Sequence, residues 1–236
     1  MPDTDVDRFA NDDPLEVGIK YDIPTDGLFQ VHWPNGQLRY EWYYKDGKRA
    51  DGVVSKAWWP NGNLKSEENY KNDKKDGLST SWYDNGMQSY EGTFKDGEKD
   101  GQWIGWDEDG QKSSEVTFKD GKEEGIVTAW YDNGKKSYEG TFKNGKKDGL
   151  WIEWYEDGQK SSEVTFKDGK EEGIVTAWYD NGKKSYEGSF KDGEKDGQWI
   201  EWDEDGQNIQ FIYNNGKKKS EENYKNDKKD GLSTSW

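Results

Sequence analysis

The 236-residue sequence has no cysteine, a single histidine and five prolines. The lack of cysteine excludes a disulfide framework, a Cys-ligated zinc site and a Cys nucleophile. No apolar run is long enough to span a bilayer, and the N-terminus lacks the basic and apolar segments of a signal peptide. We therefore expect a cytoplasmic protein, or a secreted or cell-surface one if a leader has been removed.

The apolar residues Leu, Ile, Val and Phe are also scarce. Leu, Ile, Val and Phe together provide 33 residues, about 14% of the chain, a share that by composition predicts disorder. We set that rule aside because 36 aromatic residues recur at fixed spacing, and tryptophan and tyrosine each bury a large area. The sequence therefore predicts a thin, aromatic-rich sheet.

The formal charge is −16. Nucleic-acid backbones and anionic membranes require clustered Lys or Arg, so we expect neither as a partner. The acidity favours a cationic protein partner, or serves solubility alone. Residues 1–26 carry eight acids against Arg8 and Lys20, and we predict an acidic, flexible leader there, with a capping strand from Leu15 to Ile23.

Glycines recur every 24 residues, which indicates a repeat array. In the unit from Gly125 to Gly149, two β-rich segments alternate with turn sequences such as Asp132-Asn133-Gly134. The pattern predicts an all-β fold, a single elongated, twisted antiparallel β-meander of 24-residue hairpins. We expect the array to span residues 27–206, and residues 207–236 to form an irregular C-terminal repeat or cap. One glycine series is Gly77, Gly101, Gly125, Gly149, Gly173 and Gly197.

The sixth residue of each unit is always tryptophan, as at Trp106, Trp154 and Trp202. We predict that this side of the first strand is the interior, because its residues are uniform and mostly apolar. On the second strand, Tyr138 with Gly140 alternates with Ser-Val pairs, which we interpret as volume compensation in one packed layer. The repeat is therefore truly 48 residues long.

On the other side of the first strand, tryptophan alternates with smaller residues. Because exposed Trp and Tyr dominate binding hot spots, we predict a partner-binding strip there. The alternative is that these tryptophans only cover the second side of the sheet. The predicted partner-binding residues are Trp103, Trp151, Trp199, Tyr83, Tyr131, Tyr155, Tyr179, Glu153 and Glu201.

No constellation indicates catalysis or metal binding. His32, placed where Ala129 or Glu153 would lie, has no matching Ser or Cys partner. Acidic segments such as Asp107-Glu108-Asp109-Gly110 resemble calcium-loop fragments but lack further ligands, so we interpret them as hairpin turns. A glutamate in every unit, such as Glu139, is expected to pair with cross-strand lysines. We predict no catalytic residue, no metal, no cofactor and no enzyme.

The spacing breaks near the C-terminus, where Gly216 follows Gly206 after ten residues instead of 24. The segment from Lys219 to Trp236 is identical to that from Lys65 to Trp82. The sequence then stops in mid-hairpin, which predicts an open strand edge available for self-association. A truncated sequence explains the same feature.

The segment from Tyr138 to Gly149 resembles a MORN repeat, with its pattern Tyr-x-Gly-x-Phe/Trp-x-x-Gly-x-x-x-Gly. Tyr90 to Gly101 and Tyr186 to Gly197 match equally well, whereas the intervening units lose the Tyr and Gly, as in Ser114 to Phe118. From about Gly27 onward the chain is more similar to bacterial MORN-variant repeats, with their Trp-Tyr-x-Asn-Gly-x-x-x-x-Glu pattern.

This resemblance implies curved arrays of non-catalytic β-hairpins. Similar bacterial chains are antitoxin or immunity partners of polymorphic toxins, or surface and secreted proteins. Eukaryotic relatives hold extended peptides or helices in a groove, or act at membranes. We therefore expect a non-enzymatic, antitoxin- or immunity-like protein that binds a cationic protein, such as a basic toxin, through an aromatic-lined sheet face. The alternative is a repetitive cell-surface or self-assembling protein.

Overall fold

The computed structural model describes residues 22–225, 228–229 and 234–235. Every regular element in these residues is a β-strand, which confirms the predicted all-β class. The strands form two compact units that divide between Gln111 and Lys112, inside the segment predicted as one array. Most of the predicted leader and capping strand, and the predicted C-terminal edge at Trp236, lie outside the described residues.

Unit 1 is an open antiparallel sheet in which consecutive strands pair as hairpins. Two two-residue strands extend the longer ones beside tight turns. The strands are β1 (Gly27–His32), β2 (Leu38–Lys45), β3 (Lys48–Arg49), β4 (Val54–Trp58), β5 (Leu64–Lys71), β6 (Lys74–Trp82), β7 (Gln88–Lys95), β8 (Glu98–Lys99) and β9 (Gly101–Trp106).

Unit 2 repeats the same architecture. Its strands are β10 (Lys112–Lys119), β11 (Lys122–Trp130), β12 (Lys136–Lys143), β13 (Lys146–Lys147), β14 (Gly149–Trp154), β15 (Lys160–Lys167), β16 (Lys170–Trp178), β17 (Lys184–Lys191), β18 (Glu194–Trp202), β19 (Asn208–Asn214), β20 (Lys217–Lys225), β21 (Lys228–Lys229) and β22 (Thr234–Ser235).

Two kinds of turn alternate along both units. After the first strand of a repeat, the Tyr131 amide donates to the Lys135 carbonyl (2.8 Å) and the Gly134 amide donates to the Tyr131 carbonyl (2.8 Å). After the second strand, Asn144 and Gly145 both have positive φ, at 52° and 74°. Two consecutive left-handed residues form the two-residue hairpin turn that matches strand twist, so the Asn-Gly and Asp-Gly pairs fix where each strand reverses.

The pairing register decides which side chains share a face. Val127 lies opposite Gly140 and Ala129 lies opposite Tyr138, and directly opposed residues in an antiparallel pair point to the same side. We call the side that carries Val127, Gly140 and Trp151 the packed face. The opposite side, which carries Ile126, is the open face. Each unit is therefore one layer with its buried aromatic residues on the packed face rather than a thick core.

Candidate functional site

The three tryptophans of the predicted binding strip are buried. Trp103, Trp151 and Trp199 retain only 2%, 4% and 2% of their accessible surface. The expectation that they form an exposed strip is wrong, and the alternative, that they cover one side of the sheet, is correct. The sequence did not reveal this because the faces of the two strands were assigned without their mutual register.

Glycine on the neighbouring strand explains this burial. The ring of Trp151 lies on Gly140, so closely that a Cβ added at Gly140 would be only 2.2 Å from the nearest ring atom. Tyr138 stacks on Trp151 with centroids 6.0 Å apart, and Phe142 meets it edge-on at 5.1 Å. The ammonium of Lys147 lies 4.0 Å from the ring centroid, where a cation–π interaction is favourable. Trp103 on Gly92 and Trp199 on Gly188 repeat the arrangement.

The intervening repeats solve the same packing problem with different volumes. There Val116 lies opposite Val127, and Val164 lies opposite Val175. A large residue beside glycine thus alternates with two valines of intermediate size, which keeps the layer filled. The predicted volume compensation is confirmed, but its main partner is the tryptophan of the following repeat, which sequence reasoning had placed on the other side.

The four predicted tyrosines act as links between successive repeats. The Tyr131 hydroxyl donates a hydrogen bond to the carbonyl oxygen of Trp154 (2.6 Å), and Tyr155 donates to that of Trp178 (2.7 Å). Tyr83 and Tyr179 make the equivalent bonds to Trp106 and Trp202. All four are half-buried. Their repetition at a 23-residue offset assigns them a structural task in the array.

The two predicted glutamates lie on the packed face and are exposed. Glu153 accepts a hydrogen bond from the Ser162 hydroxyl (3.2 Å), and Glu201 pairs loosely with Lys195 (3.4 Å). They lie beside the buried tryptophans, but no exposed aromatic strip accompanies them in this part of unit 2.

The open face carries the exposed apolar side chains. Ile126, Leu150 and Ile174 expose 63%, 48% and 70% of their surface, although sequence reasoning placed this side in the interior. We call these three residues the aliphatic row. Trp154 occupies the sixth position, which is tryptophan in every unit, and is only half-buried on the same face. Uniformity therefore did not indicate a core position here.

Carboxylates border the aliphatic row on both sides. On the side of the row nearer to the sixth-position tryptophans such as Trp154, Glu139 forms an ion pair with Lys136, and Glu163 pairs with Lys160 (2.8 Å). These pairs join residues three apart in one strand. The predicted glutamate–lysine pairs therefore exist, but within a strand and not between facing strands. The lysines in turn cover tryptophan, with the Lys136 ammonium 6.0 Å from the Trp154 ring.

On its other side the aliphatic row borders carboxylates that cap tight turns. Glu124 accepts the Asn144 amide (2.7 Å), and Glu172 accepts the Asp192 amide (2.8 Å). Asp148 lies between them and accepts the Asp168 amide (3.4 Å). Within the described part of the chain none of these three pairs with a lysine, so each retains acceptor capacity toward a cation.

Unit 1 shows a comparable set of exposed aliphatic residues and one departure on the packed face. Leu28, Val54 and Leu78 are exposed. At the position of Val116 and Val164, however, unit 1 has Glu68, which accepts hydrogen bonds from the Tyr70 hydroxyl (2.7 Å) and the Lys75 ammonium (2.8 Å). Val116 and Val164 have no polar atom in their side chains, so this polar cluster has no copy at either position.

Burial on the packed face perturbs tyrosine ionisation. Burial raises the pKa of Tyr90, the nearby Glu68 carboxylate raises it further, and hydrogen bonding to Ser81 and the charge of Lys75 oppose this. Burial is likewise the first cause of a raised pKa at Tyr83, Tyr131, Tyr138, Tyr155 and Tyr186.

We expect stability to fall at alkaline pH for this reason. A raised folded-state pKa means that the unfolded chain ionises first, near the ordinary value of 10.0. The stabilising contribution is therefore complete below that pH and is lost as pH rises through the folded-state pKa. Urea unfolding between pH 8 and 11.5 should show a plateau and then a decline. Tyr90→Phe should flatten the decline, and an unchanged slope would contradict the assignment to Tyr90.

The acidic turn at Asp107 and the single histidine, His32, both occupy ordinary structural positions of the repeat. Asp107 accepts the amides of Asp109 (3.1 Å) and Gln111 (2.8 Å) through Oδ1 and so caps its own turn. The turn bond from the Trp33 amide to Gln37 aligns Trp33 with Tyr131, so His32 takes the place of a tryptophan and not that of Ala129.

In the described residues, no group of three or more acidic or histidine side chains could hold a metal ion. Nor does that part of the chain contain a helix long and apolar enough to cross a membrane.

The fold and the recurring Trp–Gly contacts define a β-hairpin repeat protein. A family model described as MORN repeat variant matches eight segments, and the chain belongs to this family. No curated protein matches the sequence. The matches start every 24 residues from 75 to 171, and the last starts at 209, 38 residues after the one before it, so the regular spacing breaks near the shortened step from Gly206 to Gly216. The matched segments are 25–46, 53–72, 75–96, 99–120, 123–144, 147–168, 171–192 and 209–226.

Proposed function

We propose that this chain is a non-enzymatic binding protein that holds a cationic protein partner on its open face, in the manner of an immunity protein that neutralises a basic toxin. Membership of the MORN repeat variant family supports a binding role, because such repeats generally mediate binding. The observation that carries the proposal is the aliphatic row of Ile126, Leu150 and Ile174, exposed between two rows of carboxylates.

The energetics favour this face over the packed one. Aliphatic side chains that keep about half or more of their surface in water gain roughly 25 cal/mol for each Å² that a partner covers. The buried tryptophans of the packed face have already gained this energy within the chain. The carboxylates add long-range attraction, since a chain of charge −16 accelerates encounter with a basic protein and orients it.

A variant with all three residues of the aliphatic row replaced by serine tests the proposal. Ile126→Ser/Leu150→Ser/Ile174→Ser should keep its fold, because these side chains are exposed, yet bind the partner about tenfold or more weakly. The immobilised chain would retain a basic protein from the lysate of its native cells, with retention falling as salt increases. Ile209→Ser, which alters an exposed aliphatic residue on the packed-face side of unit 2, is the matched control.

Two results would contradict the proposal. Equal retention by the wild-type chain and the triple variant would exclude the open face. A chain that sediments as a dimer or larger species at micromolar concentration, and becomes monomeric in the triple variant, would assign the aliphatic row to self-association. If the partner is a toxin, adding the chain at equimolar ratio should suppress its activity, and the triple variant should not.

A further inference from the structure

We infer, on the basis of the proposed function, that the partner segment bound by unit 2 is a basic, proline-rich stretch in the polyproline II conformation, lying across the strands along the aliphatic row. The inference starts from spacing. Ile126, Leu150 and Ile174 lie on β11, β14 and β16, with one strand, β12 or β15, between each pair. Neighbouring strands lie about 4.8 Å apart, so the aliphatic row has a step of roughly 9.6 Å.

The steps are separated by shorter side chains. Thr141 lies opposite Ile126, and Thr165 lies opposite Leu150. Because threonine is shorter than isoleucine or leucine, the row presents projecting side chains alternating with shallow depressions at the same roughly 9.6 Å step. A ligand that matches this relief must repeat its apolar contacts at that interval.

Among regular backbone conformations, polyproline II fits this interval best. It repeats a side-chain direction every three residues, about 9.3 Å, a mismatch of roughly 0.6 Å over the two steps of the row. An α-helix repeats a face after seven residues, about 10.5 Å, so its mismatch with the row reaches roughly 1.8 Å over the two steps. A β-strand repeats a face after two residues, about 6.6 Å, and fails at the first step.

The open face also suits a backbone without amide donors. A ligand that crosses the face, instead of adding to a strand edge, meets side chains and not the sheet's backbone groups. Proline lacks the N–H that would otherwise lose its water partner there. A proline-rich segment is moreover already extended before it binds, so less conformational entropy is lost on complex formation.

Charge specifies the remaining positions of the ligand. Glu124, Asp148 and Glu172 lie two residues before the members of the aliphatic row, each separated from its member by a glycine with positive φ. A lysine or arginine that flanks the apolar contact of the ligand has a side chain long enough to extend toward these carboxylates. The three carboxylates already accept turn amides and are therefore held in place before the ligand arrives.

The test uses three synthetic peptides of equal length with the whole chain. The first contains four repeats of the triplet Pro-Pro-Lys, the second replaces lysine with glutamate, and the third is a Leu- and Lys-containing helix of the same charge as the first. We expect the first peptide to bind, the second not to bind, and the third to bind at least about tenfold more weakly. Calorimetry measures all three affinities.

Variants locate the binding. Ile126→Ser/Leu150→Ser/Ile174→Ser should reduce affinity for the Pro-Pro-Lys peptide about tenfold or more, while Ile209→Ser leaves it unchanged. Glu124→Gln/Asp148→Asn/Glu172→Gln should weaken binding and flatten its salt dependence.

The outcomes separate this inference from the proposed function. The inference is wrong if the helix binds more tightly than the Pro-Pro-Lys peptide. It is also wrong if the Pro-Pro-Lys peptide does not bind while the captured protein still requires the aliphatic row. In both cases the proposed function stands. If the captured protein binds the triple serine variant normally, the proposed function fails, and the inference about its ligand fails with it.

Discussion

Replacing Gly140 by valine is expected to lower the free energy of unfolding by about 3 kcal/mol, near the upper end of the cost of overpacking. The physical reason is the ring of Trp151, which occupies the space that a side chain at position 140 would need. The layer cannot yield easily, since Tyr138, Phe142 and Lys147 surround the ring. Urea unfolding followed by tryptophan fluorescence measures the loss.

The compensating variant provides the control for this prediction. Gly140→Val/Trp151→Val recreates the valine pair that already occurs at Val116 and Val127. Trp151→Val alone should be destabilising, because it leaves a cavity over Gly140. The double variant should be clearly more stable than the sum of the two single changes predicts. Additive effects would show that the glycine and the tryptophan are independent.

Much of this architecture could be predicted from the sequence. The glycine spacing and the Asn-Gly and Asp-Gly turns located the hairpins, because two consecutive positive-φ residues favour that turn. The Tyr138–Gly140 and Ser-Val alternation correctly indicated one packed layer. These features depend on residues close in sequence, where local conformational preference determines the outcome.

The side of the sheet that is buried could not be predicted in the same way. A shift of one residue in register moves every side chain to the other face, and the register here contains an irregularity between Ala129 and Trp130. The invariant tryptophans suggested a core, whereas Trp154 is half-buried beneath Lys136. What buries Trp151 is a glycine eleven residues earlier in the sequence, and recognising it requires knowledge of which strands pair.

The same error displaced the candidate site. Trp103, Trp151 and Trp199 were chosen because they vary between repeats, but the variation reflects the alternating packing of the layer. The aliphatic row was assigned to the interior because isoleucine and leucine are usually buried. A one-layer sheet has no second layer to cover them. The contact surface that we propose for unit 2 therefore rests on its large exposed side chains and not on sequence variability.

Glu68→Ala should destabilise unit 1 by about 2 kcal/mol, since it removes the acceptor of a largely buried ion pair. The side chains of Glu68 and Lys75 are only 17% and 21% exposed, and their charged atoms lie 2.8 Å apart. The Tyr70 hydroxyl donates to the other oxygen of the carboxylate. On the neighbouring strands the residues opposite Glu68 are Ser55 and Ser79, both buried, so water has little access to replace the lost acceptor.

The adjacent residue supplies a matched comparison. Glu67 pairs with Lys56 at the same 2.8 Å, but on the other side of the strand, where the two side chains are 35% and 39% exposed. Solvent screens that pair, and Glu67→Ala should change stability by no more than about 0.5 kcal/mol. Glu68→Gln, which keeps the shape and one acceptor but removes the charge, should fall between the two. If urea unfolding finds Glu68→Ala no more costly than Glu67→Ala, the polar cluster contributes nothing beyond a surface pair. The departure from valine at this repeat position would then have to serve something other than stability.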